Sequence, residues 1–129
     1  MNRVSFEELA AIEKTLNTYL QGTLNAGEKG VEIMKTVFHK DAIMWGWYTN
    51  GTLAQGNIQG LYDVLLPASP VTDHKVRIDI LDVAETIAVA RVELQKIWPN
   101  ETKTFTDYHE LIKIDGEWKL IGKVFAQHK

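Results

Sequence analysis

Cysteine is absent from the 129 residues, which removes disulfides, thiolate nucleophiles and zinc–thiolate sites in one step. No apolar run approaches the roughly 20 residues that a bilayer-spanning helix requires. The chain opens on a polar, acidic, helix-forming stretch instead of a charged-then-apolar leader, so no membrane partner and a cytoplasmic location are expected. Neither sign of charge dominates: the net formal charge of -3 gives no electrostatic reason to expect nucleic acid. There is no glycine-rich phosphate loop and no serine in a nucleophile elbow. His39, His74 and His128 are scattered at element ends without ligand spacing such as HxH or HExxH. Neither a metal nor a cofactor is expected.

What remains is an ordinary soluble composition, 45% apolar and 24% charged, at a length suited to one domain spanning 1–129. Ser5-Phe6-Glu7-Glu8 has the form of a capping box, with Val4 and Leu9 placed as a hydrophobic staple. Leu9, Ile12, Leu16, Tyr19 and Leu20 then recur at three- and four-residue steps, predicting a first helix that stops near Gly22. A shorter helix follows from Asn25-Ala26-Gly27, with Val31, Met34 and Phe38 on one face; Gly30 weakens it by about 1 kcal/mol, so packing must hold it. Residues 42–48 have the composition of a strand, Asn50-Gly51 suits a tight turn, and Leu53 to Gln55 form a return strand. Asn57 is placed to cap a third helix with Ile58, Leu61, Tyr62 and Leu65 as its buried stripe, ended by Pro67 and Pro70.

Everything later alternates with a period of two. Val76, Ile78 and Ile80 mark one face of a strand over 74–83, and Ala88, Ala90, Val92 and Leu94 one face of a strand over 87–98. The other face of the latter, Val89, Arg91, Glu93 and Gln95, is too mixed for a core and suits a surface with paired charges. Helices first and long antiparallel strands last give the α+β class, with three helices against one face of a curved sheet. So few helices cannot fill the concavity of long twisted strands, and an enclosed pocket is the expected by-product.

The last hairpin carries the candidate chemistry. Asp107 lies within a β-forming run on the same face as Phe105 and His109, where an unpaired buried carboxylate is costly. His109 stands about 7 Å from it along the strand, close enough to share a ligand. Whether Lys123 joins them depends on the turn at Asp115-Gly116. A two-residue turn pairs Ile114 with Glu117 and sets Lys123 opposite Tyr108, on the far face. A three-residue loop pairs Lys113 with Glu117 and sets Lys123 opposite Asp107 and Phe105 opposite Phe125; the matched charges and rings favour this second register slightly.

Phe105, Asp107, Tyr108 and Leu111, followed by Asp115-Gly116, Trp118, Lys119, Lys123 and Phe125, resemble the end of nuclear transport factor 2-like (cystatin-like) domains, in the lumazine-binding and polyketide-cyclase-like branch. The order of elements is similar over nearly the whole chain. The resemblance implies a cone-shaped curved antiparallel sheet wrapped around three N-terminal helices and enclosing a pocket. It also implies a homodimer through the outer face of the sheet. The fold hosts isomerases, dehydratases, hydrolases, cyclases and binding modules, so function must be argued from the site.

Three readings stay open. In the first, the protein binds a small hydrophobic or aromatic molecule, with Asp107 at the polar end and Trp45, Trp47, Tyr62, Trp98 and Tyr108 as the aromatic lining. Trp45 and Trp47, two apart on a strand, present both rings to one face. In the second, Asp107 is the general base of an isomerase, dehydratase or cyclase, with Tyr108, Lys123 or His109 as its partner. In the third, the chain is a dimeric interaction module without ligand.

Overall fold

The computed structural model describes residues 4–129. Its elements are α1 (Phe6–Asn25), α2 (Gly27–Lys35), β1 (Phe38–Trp47), β2 (Leu53–Ala54), α3 (Gln59–Leu65), β3 (Asp73–Ala84), β4 (Ile87–Trp98), β5 (Glu101–Ile114) and β6 (Glu117–His128). The six strands form one curved, unclosed sheet in the order β2-β1-β6-β5-β4-β3. The α+β architecture expected from the sequence is the one observed. One pairing departs from it: β1 and β6 run parallel, with Met44 beside Lys123 and Trp45 beside Val124, while all other pairs are antiparallel.

Only half of the expected capping box forms. Ser5 Oγ accepts from the Glu8 backbone N–H at 3.1 Å, but the Glu8 carboxylate turns away to the last hairpin. There it accepts from Trp118 Nε1 and, at 3.1 Å, from Lys113 Nζ, which face each other across β5 and β6. These two bonds hold the Glu8 carboxyl below its usual pKa and tie the first turn of α1 to the sheet.

Gly22 does not stop α1, which runs on to Asn25. Its role is contact: a Cβ at Gly22 would come within 2.5 Å of Met34 Cγ, and one at Gly30 within 2.3 Å of the Gly22 carbonyl oxygen. The two glycines let α1 and α2 cross almost backbone to backbone. The loss of helix propensity at Gly30 is therefore offset by packing. Phe38, expected on the second helix, is the first residue of β1, because α2 ends at Lys35.

The concave face of the sheet and the three helices share one core. Ile12, Leu16, Tyr19 and Leu20 of α1 meet Leu111, Leu120 and Phe125 of the sheet in it, with Ile58, Leu61, Tyr62 and Leu65 around α3. β4 spans the residues its alternation predicts, with Ala88, Ala90, Val92 and Leu94 buried. Arg91 and Glu93, on the convex face, pair with each other.

The turn at Asp115-Gly116 has two residues, both at positive φ (51° and 80°), and Ile114 pairs with Glu117. The three-residue loop does not occur. Yet Lys123 is not opposite Tyr108 either, because the register slips by one between Leu111–Leu120 and Glu110–Gly122. Ile121 is the extra residue of a β-bulge, and the bulge carries every later side chain of β6 to the other face. Lys123 comes opposite His109, and Phe125 opposite Asp107; Phe105 faces Gln127. Both registers read from the sequence are thus corrected by one residue that neither contained.

Candidate functional site

A cavity of about 650 Å³ opens between the C-terminal half of α1, α3 and the concave ends of β4, β5 and β6. Leu61, Leu65, Leu94, Phe105 and Phe125 give it apolar walls, and Trp98 stands at its edge with Nε1 donating to the Ser69 carbonyl at 3.0 Å. The segment around Thr49 and Asn50 borders it as well.

Asp107 lies on this cavity and is 1% exposed. Its Oδ2 accepts from the Tyr19 hydroxyl at 2.7 Å and has Lys123 Nζ at 3.9 Å and His109 Nε2 at 3.5 Å. Three cation or donor groups therefore converge on one oxygen. The other, Oδ1, has no hydrogen-bond partner among the described residues. Burial alone would push the carboxyl up, but the Lys123 ammonium, then His109 and the Tyr19 hydroxyl, outweigh it and bring its pKa to about 2. Asp107 is accordingly ionised at neutral pH. Tyr19, held up by burial and then by the neighbouring carboxylate, stays protonated and donates.

His109 is fully buried behind this group, edge-on to Tyr19 with ring centroids 4.6 Å apart and within 6.5 Å of Phe38. At 3.5 Å its contact with Asp107 is too long for a strong hydrogen bond. Burial lowers its pKa, so the ring is neutral and supports Asp107 without lining the cavity. Lys123, 6% exposed, is also lowered by burial, with Asp107 opposing the shift; its ammonium sits between two rings, 5.3 Å from the centroid of Tyr19 and 5.2 Å from that of Phe125.

Two further lysines line the cavity. Lys96 and Lys103 face each other across β4 and β5. Lys103 has Glu101 at 3.7 Å and lies over the Trp98 ring. Lys96 has the Phe105 ring at 5.8 Å and, among the described residues, no carboxylate within ion-pair distance. Burial, then the charges of Lys123 and Lys103 against the opposing pull of Asp107, lowers its pKa to about 7.

A family model described as "Putative lumazine-binding" matches residues 7–126. The chain belongs to that family. It is similar to two NTF2-like proteins of known structure. One, from Methylobacillus flagellatus, is 34% identical over 98% of this chain and 97% of its own, with a TM-score of 0.86. The other, from Shewanella baltica, is 30% identical over 99% of each chain, with a TM-score of 0.85. A curated relative from Cladobotryum, named aldolase FrzH, is 28% identical over 97% of this chain and 95% of its own. Family and fold thus place the chain in the NTF2-like superfamily that its last hairpin resembles.

Of the residues singled out from the sequence, Asp107, Lys123 and Trp98 line the cavity, and His109 lies directly behind it. The remaining aromatic candidates do not. Trp45 and Trp47 do share a face, but it is the convex one, where they are 44% and 60% exposed. Gly46 explains why: a Cβ there would strike the Phe125 ring and carbonyl, so Ala42, Met44 and Gly46 must turn inward and the tryptophans outward. Tyr108 alternates with Asp107 and is on the same convex face. Tyr62 is buried on α3 under Lys35, away from the cavity.

Tyr19 and Lys96 were not singled out as site residues. Tyr19 was legible as the one polar tip in the apolar stripe of α1. Lys96 was legible by carrying the Ala88-to-Leu94 alternation one step further.

Proposed function

We propose that the cavity binds a small, largely apolar molecule that presents a hydrogen-bond donor to Asp107. The observation that carries this reading is Oδ1: a carboxylate oxygen buried at a cavity wall with no donor is costly, and a ligand N–H or O–H would satisfy it. Phe105, Phe125 and Leu94 suit an apolar body, and Lys123 keeps the carboxylate charged to receive the donor. The test is a crystal structure of protein purified without added ligand, together with native mass spectrometry. A bound molecule with a polar atom within about 3 Å of Oδ1, lost in Asp107→Asn, supports the reading. A side-chain-filled cavity that binds nothing sinks it.

A second reading is enzymatic, and the likeness to an aldolase over almost the whole chain favours it. Here Asp107 would take a proton from carbon beside a carbonyl, with Lys123 near the developing oxyanion. A carboxylate with pKa about 2 is a weak base, so this reading requires ligand binding to draw Lys123 off Asp107 and raise it. Deuterium exchange into a carbonyl ligand, abolished in Asp107→Asn, would separate catalysis from binding.

The convex face is proposed as a homodimer surface. Trp45, Val124 and Tyr108 lie side by side across β1, β6 and β5, flanked by Ile43 and Trp47, and all five are at least two-fifths exposed. Contiguous exposed apolar side chains of this kind suit an interface, and the Arg91–Glu93 pair beside them supplies a polar rim.

A further inference from the structure

We propose that Lys96 is a reactive amine of the cavity, which condenses with an aldehyde or ketone to form an imine. The inference deepens the reading of the cavity as a ligand site and rests on it.

Its ground is the unequal treatment of the three cavity lysines. Lys123 has Asp107, and Lys103 has Glu101. Lys96 has an aromatic ring and two other ammonium groups: Lys103 directly across the strand pair, and Lys123 over the Phe125 ring, whose centroid is 6.2 Å from that of Phe105. Burial and the charges of Lys123 and Lys103 outweigh the pull of Asp107, which is not within ion-pair distance, so the ammonium is relieved by losing its proton, the arrangement that activates a lysine as a nucleophile. The lowered pKa of about 7 agrees with this placement.

In the step itself, the neutral Lys96 Nζ attacks the carbonyl carbon and the C–N bond forms as the π pair moves to oxygen. That oxygen takes the proton that the new ammonium nitrogen sheds, which restores the nitrogen lone pair, and then, as hydroxyl, a second proton from solvent. It leaves as water while the nitrogen lone pair makes the C=N bond. The product is a protonated imine plus one water, with no oxidant or reductant consumed. The positive nitrogen is an electron sink for the neighbouring carbon.

The test uses the full chain, 6-methoxy-2-naphthaldehyde as the carbonyl probe and sodium cyanoborohydride as trap at pH 7. Intact mass counts the adducts, and peptide mapping places them among the eleven lysines. Binding without the trap is followed separately by tryptophan fluorescence. The expected result is one adduct, on Lys96, formed about tenfold or more faster than at any exposed lysine, whose ordinary pKa leaves almost no neutral amine at pH 7. The rate should level off above pH 7, and its midpoint should move upward in Lys123→Met, checked for folding by circular dichroism. Lys96→Arg should lose the adduct. Labelling spread evenly over surface lysines, or centred on Lys123, overturns the proposal. Saturable binding without trapping also overturns it while leaving the ligand site standing. Neither binding nor trapping would count against both.

Discussion

His109 and Lys123 stand opposite each other on β5 and β6, and Lys123 joins His109 on the inward face only because Ile121 is inserted as a bulge two residues before it. Without that residue, the two-residue turn would aim Lys123 at the convex face and leave Asp107 in the core without its cation. Deleting Ile121 should therefore do more than shorten a strand. A variant that still folds is expected to lose the Lys123–Asp107 contact, and the Asp107 carboxyl, observed by carbon NMR, should titrate well above its native range.

Lys123→Met isolates the charge from the register. Burial then acts on Asp107 with only Tyr19 and neutral His109 to oppose it, so its pKa should rise from about 2 into or above the ordinary carboxylate range. An unchanged titration would mean that Tyr19, not Lys123, holds the carboxylate ionised.

Asp107 also makes an acid-stability prediction. Its folded-state pKa of about 2 lies below the unfolded value near 3.9, so its contribution is fully present above about pH 5 and is lost as pH falls towards 2. The size is about 2–3 kcal/mol, one pKa unit being worth about 1.4 kcal/mol. Urea unfolding between pH 2 and 6 should show this slope in the wild type and a shallower one in Asp107→Asn.

At Gly30 propensity and packing make opposite predictions. Alanine favours a helix over glycine by about 1 kcal/mol, yet its Cβ would lie 2.3 Å from the Gly22 carbonyl oxygen. Packing should win, and Gly30→Ala should destabilise by about 1–3 kcal/mol. Thermal denaturation gives the answer; a rise in Tm would mean that α1 and α2 separate easily.

For the convex face, Trp47→Asp should shift sedimentation towards the monomer while leaving the cavity intact, since Trp47 is 60% exposed and points away from it. A wild type that is already monomeric at micromolar concentration would remove the dimer proposal.

Local pattern was enough to read the strands. The alternation over 87–98 left one choice of inward face, and the stripe of α1 named its core. Face assignment failed where both faces of a strand are apolar: in β1, Met44 and Ile43 are equally acceptable inward residues. The deciding contact, Gly46 against Phe125, joins positions far apart in sequence. Bulges are illegible for a similar reason. Nothing in Leu120-Ile121-Gly122 announces an extra residue, although Gly122 is where a side chain would collide with Glu110. The carboxylate itself was readable, because an acid in a β-forming run needs partners; their identity required the fold.

Trp98 has its ring at the cavity edge and its indole N–H tied to Ser69, whereas Trp45 and Trp47 look outward from the opposite side of the sheet. Three of its four tryptophans are thus built-in optical reporters with two separate audiences. Trp98 senses what enters the cavity, and the other two sense what covers the back of the sheet, so single-tryptophan variants could follow ligand uptake and self-association independently, with no dye attached.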